Sequence, residues 1–316
     1  MAKYISLAKI RTGSCAYKTN FRFVAKNDDI WGEISNSGVK IMKKPIVALI
    51  YDFDGTLSPG NMQEFGFIQS IGKTPSEFWK LSDGIAVKYD ASNVLSYMKL
   101  MFDEARRNGI HLRREDFKKF GKDIELFEGV SEWFSIVNRY GRTHGVKVEH
   151  YINSSGLKEI IEGSGIAGEF KHVFAGTFIY DENGEAVWPG TAVDYTAKTQ
   201  FLFKISKGIF SAQDNKQVNS SVSDDKKRIP FSNMIYFGDG DTDVPCMKIV
   251  GMFGGHSIAV YNPSNDKKKA TALKLKRQGR VAFEAPAVYT ADSRAFKLVC
   301  AIIDKIKADE TLKGLK

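Results

Sequence analysis

An α/β fold is predicted, a doubly wound, mainly parallel sheet with a small helical cap, and three observations predict it. Apolar runs of strand length alternate with amphipathic helical stretches from residue 46 onward. The first of these runs, Ile46 to Tyr51, is unbroken and not alternating, as a strand covered on both faces requires. Polar clusters follow Tyr51, Ile152 and Phe237, the ends of three such runs, which is the edge where open α/β sheets bind ligands.

Taken in order, residues 1–41 show no sustained period of either kind, and Met42 then opens "MKKPIVALIYDFDG". The domain is expected to start at Met42, with residues 1–41 an extension of the kind an over-long start assignment leaves. Residues 42–61 and 127–316 form the expected core, and residues 62–126 the cap inserted into it. In the cap, Thr74, Pro75 and Glu77 match a capping box with proline at the first helical position. "NVLSYMKLMFDEARRNG" puts Val94, Leu95, Met98, Met101, Phe102 and Ala105 on one helical face and stops at Gly109.

Back in the core, "EGVSEWFSIVNRYG" reads as a helix with Trp133, Phe134, Ile136 and Val137 inward. Val146 to Ile152 read as a strand and Leu157 to Ile161 as a helix. Ser154, Ser155 and Gly156 sit at the junction, a turn suited to an anion. "FAGTFIYDENGEAVWPG" predicts a hairpin with a type I′ turn at Asn183 and Gly184. A helix follows from about Thr196, and "SAQDNKQVNSSVSDDKKR" reads as a polar loop. "NMIYFGDGDTDVP" brings a strand into an acidic cluster, "HSIAVYNP" and "APAVYT" read as short strands, and "SRAFKLVCAIIDKI" as a closing helix.

The composition narrows the function. A chain of 316 residues with 43% hydrophobic content can bury a sizeable core. No apolar stretch approaches the roughly 20 residues of a membrane span, and the N-terminus shows no short apolar block with a cleavage site. The three cysteines, Cys15, Cys246 and Cys300, are far apart and odd in number, which fits a reducing cytoplasm and a soluble, cytoplasmic protein. The net charge of +9 is concentrated in "NDKKKATALKLKRQGR", a basic helical stretch with no interleaved aromatic residue. That pattern fits a solvated helix face better than a nucleic-acid stripe.

The acids carry the chemistry. Asp52 and Asp54 lie in the first cluster, and Asp239, Asp241 and Asp243 in the last. So many carboxylates at one sheet edge repel unless a hard divalent cation sits among them, and oxygen-only ligands favour magnesium over zinc. Magnesium at such a site also binds phosphate, which points to phosphoryl transfer. A carboxylate on a rigid strand end can attack phosphorus, and Asp52 is the expected nucleophile. Asp54, two residues on and therefore on the same side, is placed to protonate the leaving oxygen and then activate water. Ser154, neighbouring amides and a lysine would hold the phosphate oxygens.

"DFDGTL" at 52–57, "INSSG" at 152–156, a lysine opening a helix in "TAKTQFLF" and "GDGDTD" at 238–243 resemble, in order, the four motifs of the haloacid dehalogenase-like (HAD) hydrolases. The resemblance runs from about residue 42 to the end and is nearest to the phosphoserine phosphatase-like branch. It implies a Rossmann-like core, with Asp52 as nucleophile and metal ligand and Asp54 as acid/base that lends a backbone carbonyl to the metal. Ser154 and Lys198 would be the phosphate-binding pair, Asp239 a metal ligand and Asp243 its supporting acid or a second ligand. An acid/base aspartate is typical of phosphatases and phosphotransferases in this family and absent from true dehalogenases. A magnesium-dependent phosphatase acting on a small phosphorylated metabolite is thus expected.

Simpler roles exist for each residue. Asp-x-Asp-Gly-Thr alone could be an Asx-capped turn, Ser154 a helix cap and Lys198 a surface lysine, with Lys204 and Lys207 close by to take its place. Asp241 fits a solvent-facing position, and His111, His144, His150, His172 and His256 are scattered as structural histidines are. Trp79, Arg106 and Arg107 fit packing or a solvated face, whereas Glu64 and Phe65 follow the first motif closely enough to meet substrate. Rival functions are a non-catalytic HAD-fold binding protein that uses the basic helix, a phosphotransferase and a phosphonatase. A start at Met42 predicts that a chain lacking residues 1–41 folds and keeps its activity; loss of both on deletion, followed by circular dichroism and turnover, would refute it.

Overall fold

The computed structural model describes residues 21–24, 30–35, 38–211, 214–223 and 226–315. Residues 1–20 of the expected extension, with Cys15, and residues 212–213 and 224–225 of the polar loop lie outside the described residues. Among the described residues, β1 (Phe21–Val24), β2 (Ile30–Ser35) and β3 (Gly38–Lys43) form a separate antiparallel sheet in that order. Val39 and Ile41 alternate with lysine and methionine for only four residues, too short a period to stand out in the sequence. Met42 lies inside β3, opposite Trp31.

The chain continues through β4 (Ile46–Tyr51), α1 (Phe67–Ser70), α2 (Pro75–Tyr89), α3 (Asn93–Arg107), α4 (Arg114–Gly121), α5 (Val130–Thr143), β5 (Lys147–Leu157) and α6 (Lys158–Gly163). It then forms β6 (His172–Tyr180), β7 (Ala186–Thr191), α7 (Thr199–Lys207), α8 (Asn215–Asn219), β8 (Met234–Gly238) and α9 (Val244–Met252). The last elements are β9 (His256–Tyr261), α10 (Asp266–Arg277), β10 (Phe283–Pro286) and α11 (Arg294–Gly314). Among the described residues these strands make a sheet ordered β10-β9-β8-β4-β5-β6-β7, parallel except for β6 against β7. The chain moves from β4 out through β5 and β6, then returns to β8 on the other side of β4. That reversal opens a crevice at the carboxyl edge of β4.

The unbroken apolar runs divide between two cores. Val47, Leu49 and Tyr51 face one, and Ala48 and Ile50 the other. In β8, Ile235 and Phe237 join the first core while Met234 and Tyr236 join the second. Period two with both faces covered is what makes every position of the strand apolar.

Residues 62–121 contribute a 3₁₀ turn at Met62–Phe65 and then α1 to α4. The capping box of α2 is present: Thr74 Oγ1 accepts from the Glu77 amide at 3.3 Å, and Glu77 Oε2 accepts from the Thr74 amide at 2.8 Å. On α3, Val94, Met98, Met101 and Ala105 are buried as expected, but Leu95 is exposed, and Tyr97 and Leu100 are buried in its stead. The last helix of this segment, α4, lies close against α6: a Cβ on Gly121 would overlap the Ile160 carbonyl oxygen, and one on Gly163 the Lys118 carbonyl oxygen.

Four local expectations are corrected. The β6–β7 hairpin exists, but only Gly184 of its loop has positive φ (+77°), so the turn is not type I′. The Gly184 amide instead donates to the Asp181 carbonyl, and Asp181 Oδ1 accepts from the amides of Asn183 and Glu185. This is a type I turn followed by a glycine in the left-handed region, with the aspartate side chain supplying the acceptor. The strand containing Ser154 runs on through Leu157 with a register shift between Asn153 and Leu157, so α6 starts at Lys158. The strand read at "APAVYT" ends at Pro286, which has no N–H to continue a ladder and lies on the edge strand β10. A short helix, α8, also occupies part of the polar loop, with Asp214 accepting from the Gln217 amide.

The α4–α6 contact makes a measurable claim. Gly163→Ala forces apart two backbones that cannot yield as side chains do, and should cost about 1–3 kcal/mol in urea denaturation. Gly165→Ala, where a Cβ meets nothing within 4 Å, should change stability by no more than about 0.5 kcal/mol. Equal stability of the two variants would contradict the close approach.

Candidate active site

Three chain segments leave the sheet at the carboxyl edge of β4, β5 and β8 and meet. After Tyr51 the Asp52 amide extends the ladder by donating to the Phe237 carbonyl at 2.9 Å. The Phe53 carbonyl then accepts from the amides of Thr56, Leu57 and Ser58, closing a tight loop. Phe53 is fully buried, so Asp52 and Asp54, on either side of it, turn the other way into a shared cleft. Gly55 has φ +72°, and a Cβ there would overlap the Asp239 carboxylate. The close approach of the first and last motifs therefore requires glycine at this position.

The carboxylates of Asp52, Asp239 and Asp243 are buried and each offers an oxygen within 4.8 Å of the others. Lys198 Nζ, itself fully buried, stands 2.7 Å from Asp243 Oδ1 and 3.2 Å from Asp52 Oδ1. The Tyr236 hydroxyl donates to Asp243 Oδ1 at 2.8 Å, and Lys268 Nζ lies 2.7 Å from Asp239 Oδ2. Asp52 Oδ1 also accepts from the Phe53 amide, while Asp52 Oδ2 accepts no hydrogen bond among the described residues. Asp54 stands outside the trio: its Oδ1 accepts from the Met62 amide at 2.9 Å. Its side chain is therefore not grouped with the other three carboxylates.

Ser154 lines the same cleft and its Oγ accepts from the Gly156 amide at 3.0 Å. The amides near it belong to the bulged end of β5, not to a helix turn. The neighbouring lysines point elsewhere: Lys204 Nζ donates to the Ser211 carbonyl, and Lys207 Nζ to the carbonyls of Val218 and Ser220. Asp241 is exposed at the cleft. Arg107 pairs with Glu104, and Arg106 lies over the Phe102 ring. His150 is buried between the Tyr51 hydroxyl and Asn138, and burial lowers its pKa to about 3, so it is a neutral core residue.

Burial and mutual repulsion shape the protonation of the acids. Burial, then the charge of Asp243, raise the pKa of Asp52 to about 7 against the pull of Lys198. Burial, then the charge of Asp52, raise that of Asp54 well above the usual range. Burial also raises Asp239, with Lys268 opposing. For Lys198, burial works against the charge, but Asp243 and Asp52 outweigh it and its pKa rises.

The cleft, of about 490 Å³, brings in residues that motif reading did not single out: Asn61, Asn262, Asn265 and Lys268. Lys268 is hidden in a run of lysines, and its one available signal is its place just beyond β9, at the same sheet edge as the acids. Glu64 also lines the cleft, and its Oε1 accepts from the Trp79 indole at 2.7 Å and from Asn61 Nδ2 at 2.6 Å. The Tyr97 hydroxyl on α3 donates to the Ser155 carbonyl, tying the helical segment to the cleft.

A sequence profile of the haloacid dehalogenase-like hydrolases matches residues 49–248, which run from within β4 into α9. The chain belongs to this family. It is 30% identical over 284 aligned residues to a Borreliella burgdorferi protein described as uncharacterized, covering 81% of this chain and 96% of that one. Among solved structures, a "probable phosphoserine phosphatase" of Vibrio cholerae shares the fold, with TM-score 0.51 and 10% identity over 86% of this chain and 71% of that one. A substrate-bound phosphoserine phosphatase complex has TM-score 0.46 and 18% identity, covering 72% of this chain and 91% of that one. The doubly wound α/β sheet expected of a HAD hydrolase is the architecture observed.

Metal-free, folded Asp52 keeps its proton up to about pH 7. In the unfolded chain it loses that proton near pH 4. The folded state thus binds more protons in between, and the Asp52 contribution to stability falls as pH rises through that window, then levels off. In chelator, the melting temperature of Asp52→Asn relative to wild type should therefore climb between about pH 4 and 7 and stay flat above. A difference independent of pH would contradict the burial-driven shift.

Proposed function

We propose that this HAD hydrolase is a magnesium-dependent phosphatase that hydrolyses a small phosphomonoester through an aspartyl phosphate on Asp52. The observation that carries the reading is the convergence of Asp52, Lys198, Asp239 and Asp243 in one buried cluster beside Asp54. A buried, oxygen-only trio suits a hard dication better than a softer one. Magnesium held by Asp52, Asp239 and Asp243, with the main-chain oxygen of Asp54, would neutralise charge on the acids and on the phosphoryl oxygens.

The chain's own residues account for the rest. Lys198 and the Phe53 amide fix Asp52 Oδ1, leaving Oδ2 free to attack phosphorus as the ester P–O bond breaks. Burial keeps a proton on Asp54, which passes to the departing oxygen. Asp54, now a carboxylate, takes a proton from water as that water's oxygen displaces Asp52 from phosphorus. Inorganic phosphate leaves, and both acids return to their starting states. Ser154 Oγ and Lys198 Nζ would meet the non-bridging oxygens. Residues 62–126 would act as the cap, and the mostly polar side chains that line the cleft support a small, hydrophilic leaving group. Among the described residues no helix is long and apolar enough to cross a membrane.

Turnover of p-nitrophenyl phosphate should require magnesium and stop in chelator, and Asp52→Asn should lower it at least about 10³-fold. Nitrophenolate leaves without a proton, so Asp54→Asn should spare the first step and slow the second, giving a burst followed by a rate roughly 10²–10⁴-fold reduced. Activity indifferent to both magnesium and Asp52→Asn would overturn the reading.

A further inference from the structure

Two ammonium groups serve the three clustered acids, and they differ in freedom. Lys198 is wholly enclosed and bridges Asp243 and Asp52, so it has nowhere to go. Lys268 pairs only with Asp239 there, and its side chain is 48% exposed while that of Asp239 is 10% exposed. The main chain of Lys268 is held in the first turn of α10, where its amide donates to Asn265 Oδ1 at 3.1 Å. Its long side chain reaches from that anchor to Asp239 Oδ2 in the cleft. The carboxylate of Asp239 also lies so close to Gly55 that a Cβ there would overlap it. Without Lys268, Asp239 would be a buried carboxylate facing Asp52 and Asp243 with no cation of its own.

We propose that Lys268 is a displaceable internal cation of the acid cluster: it neutralises Asp239 until a dication arrives, and it sets the affinity for that dication by having to be displaced. The inference rests on the proposed function only in that it needs a dication among these acids. An ammonium and a dication that approach the same carboxylate repel by kcal/mol even at protein surfaces, so any lysine that stays in place opposes binding. Lys198 cannot yield, so the exchange falls on the lysine that has solvent to enter. Lys268 is thus a positioning residue that acts through Asp239, which gives one lysine of the basic α10 a task at the cleft.

The test is calorimetric titration of magnesium into chelator-stripped, full-length protein at low salt, with Lys268→Met and Lys268→Arg beside the wild type. The expected result is magnesium binding roughly tenfold tighter in Lys268→Met, together with a lower melting temperature without metal and a larger rise on adding it. Lys268→Arg, which keeps the charge, should restore the wild-type affinity. A lysine that merely braced Asp239 would give the opposite sign, because its loss would weaken binding. Unchanged or weaker magnesium binding in Lys268→Met, with normal binding in wild type, overturns the role of Lys268 and leaves the phosphatase reading standing. Binding in none of the proteins overturns both. Lys268→Gln provides the same measurement if the methionine variant does not fold.

Discussion

Three buried carboxylates within 4.8 Å of one another impose the constraint that the rest of the molecule answers to. At an effective dielectric of about 20, each ionised pair at that separation repels by roughly 3–4 kcal/mol. Three such pairs approach the whole stability of an ordinary domain, about 5–15 kcal/mol. Lys198 is the fixed part of the reply, enclosed at the point where it can touch two of the acids at once. Lys268 is the mobile part, and the proton that Asp52 retains toward neutral pH is a third. A protein free of chemistry would remove such repulsion by substituting one acid; this one surrounds it with counter-charges.

The sheet explains how the acids come to one point. β4 lies between β5 and β8, and all three run parallel, so their carboxyl ends open on the same edge. Segments from residues 52, 154 and 239, remote in sequence, become neighbours because the chain reverses its direction of travel beside β4. The two cores on either face of the sheet hold these strand ends rigidly, with Phe53 anchored in one while the aspartates on either side face the cleft. Rigidity matters because the acid proposed to attack phosphorus must keep its geometry against strong repulsion.

Some features were legible because their signal is local. The unbroken strands, the Thr74–Glu77 capping box and the acid motifs depend on short spacings that physics reads the same way in most contexts. The features that escaped depend on neighbours far away. The hairpin turn followed the Asp181 side chain and not the Asn-Gly pair. Leu95 continues the apolar pattern of α3 yet faces solvent, since packing selected Tyr97 and Leu100. Trp79 passes for a packing residue, and only the fold shows its indole holding Glu64 at the cleft. Lys268 could not be told from the lysines beside it by composition.

The sequence alone determined which acids follow the strand ends and the class of sheet that carries them, because strand periodicity and acid spacing are short-range properties. Only the tertiary structure decided which lysine meets which acid, separating Lys198 from Lys204 and Lys207 and bringing Lys268 to Asp239. The reason is the range of the interactions: hydrophobic patterning acts along a few residues of chain, whereas ion pairing in a buried cluster depends on distances that exist only once the chain has folded.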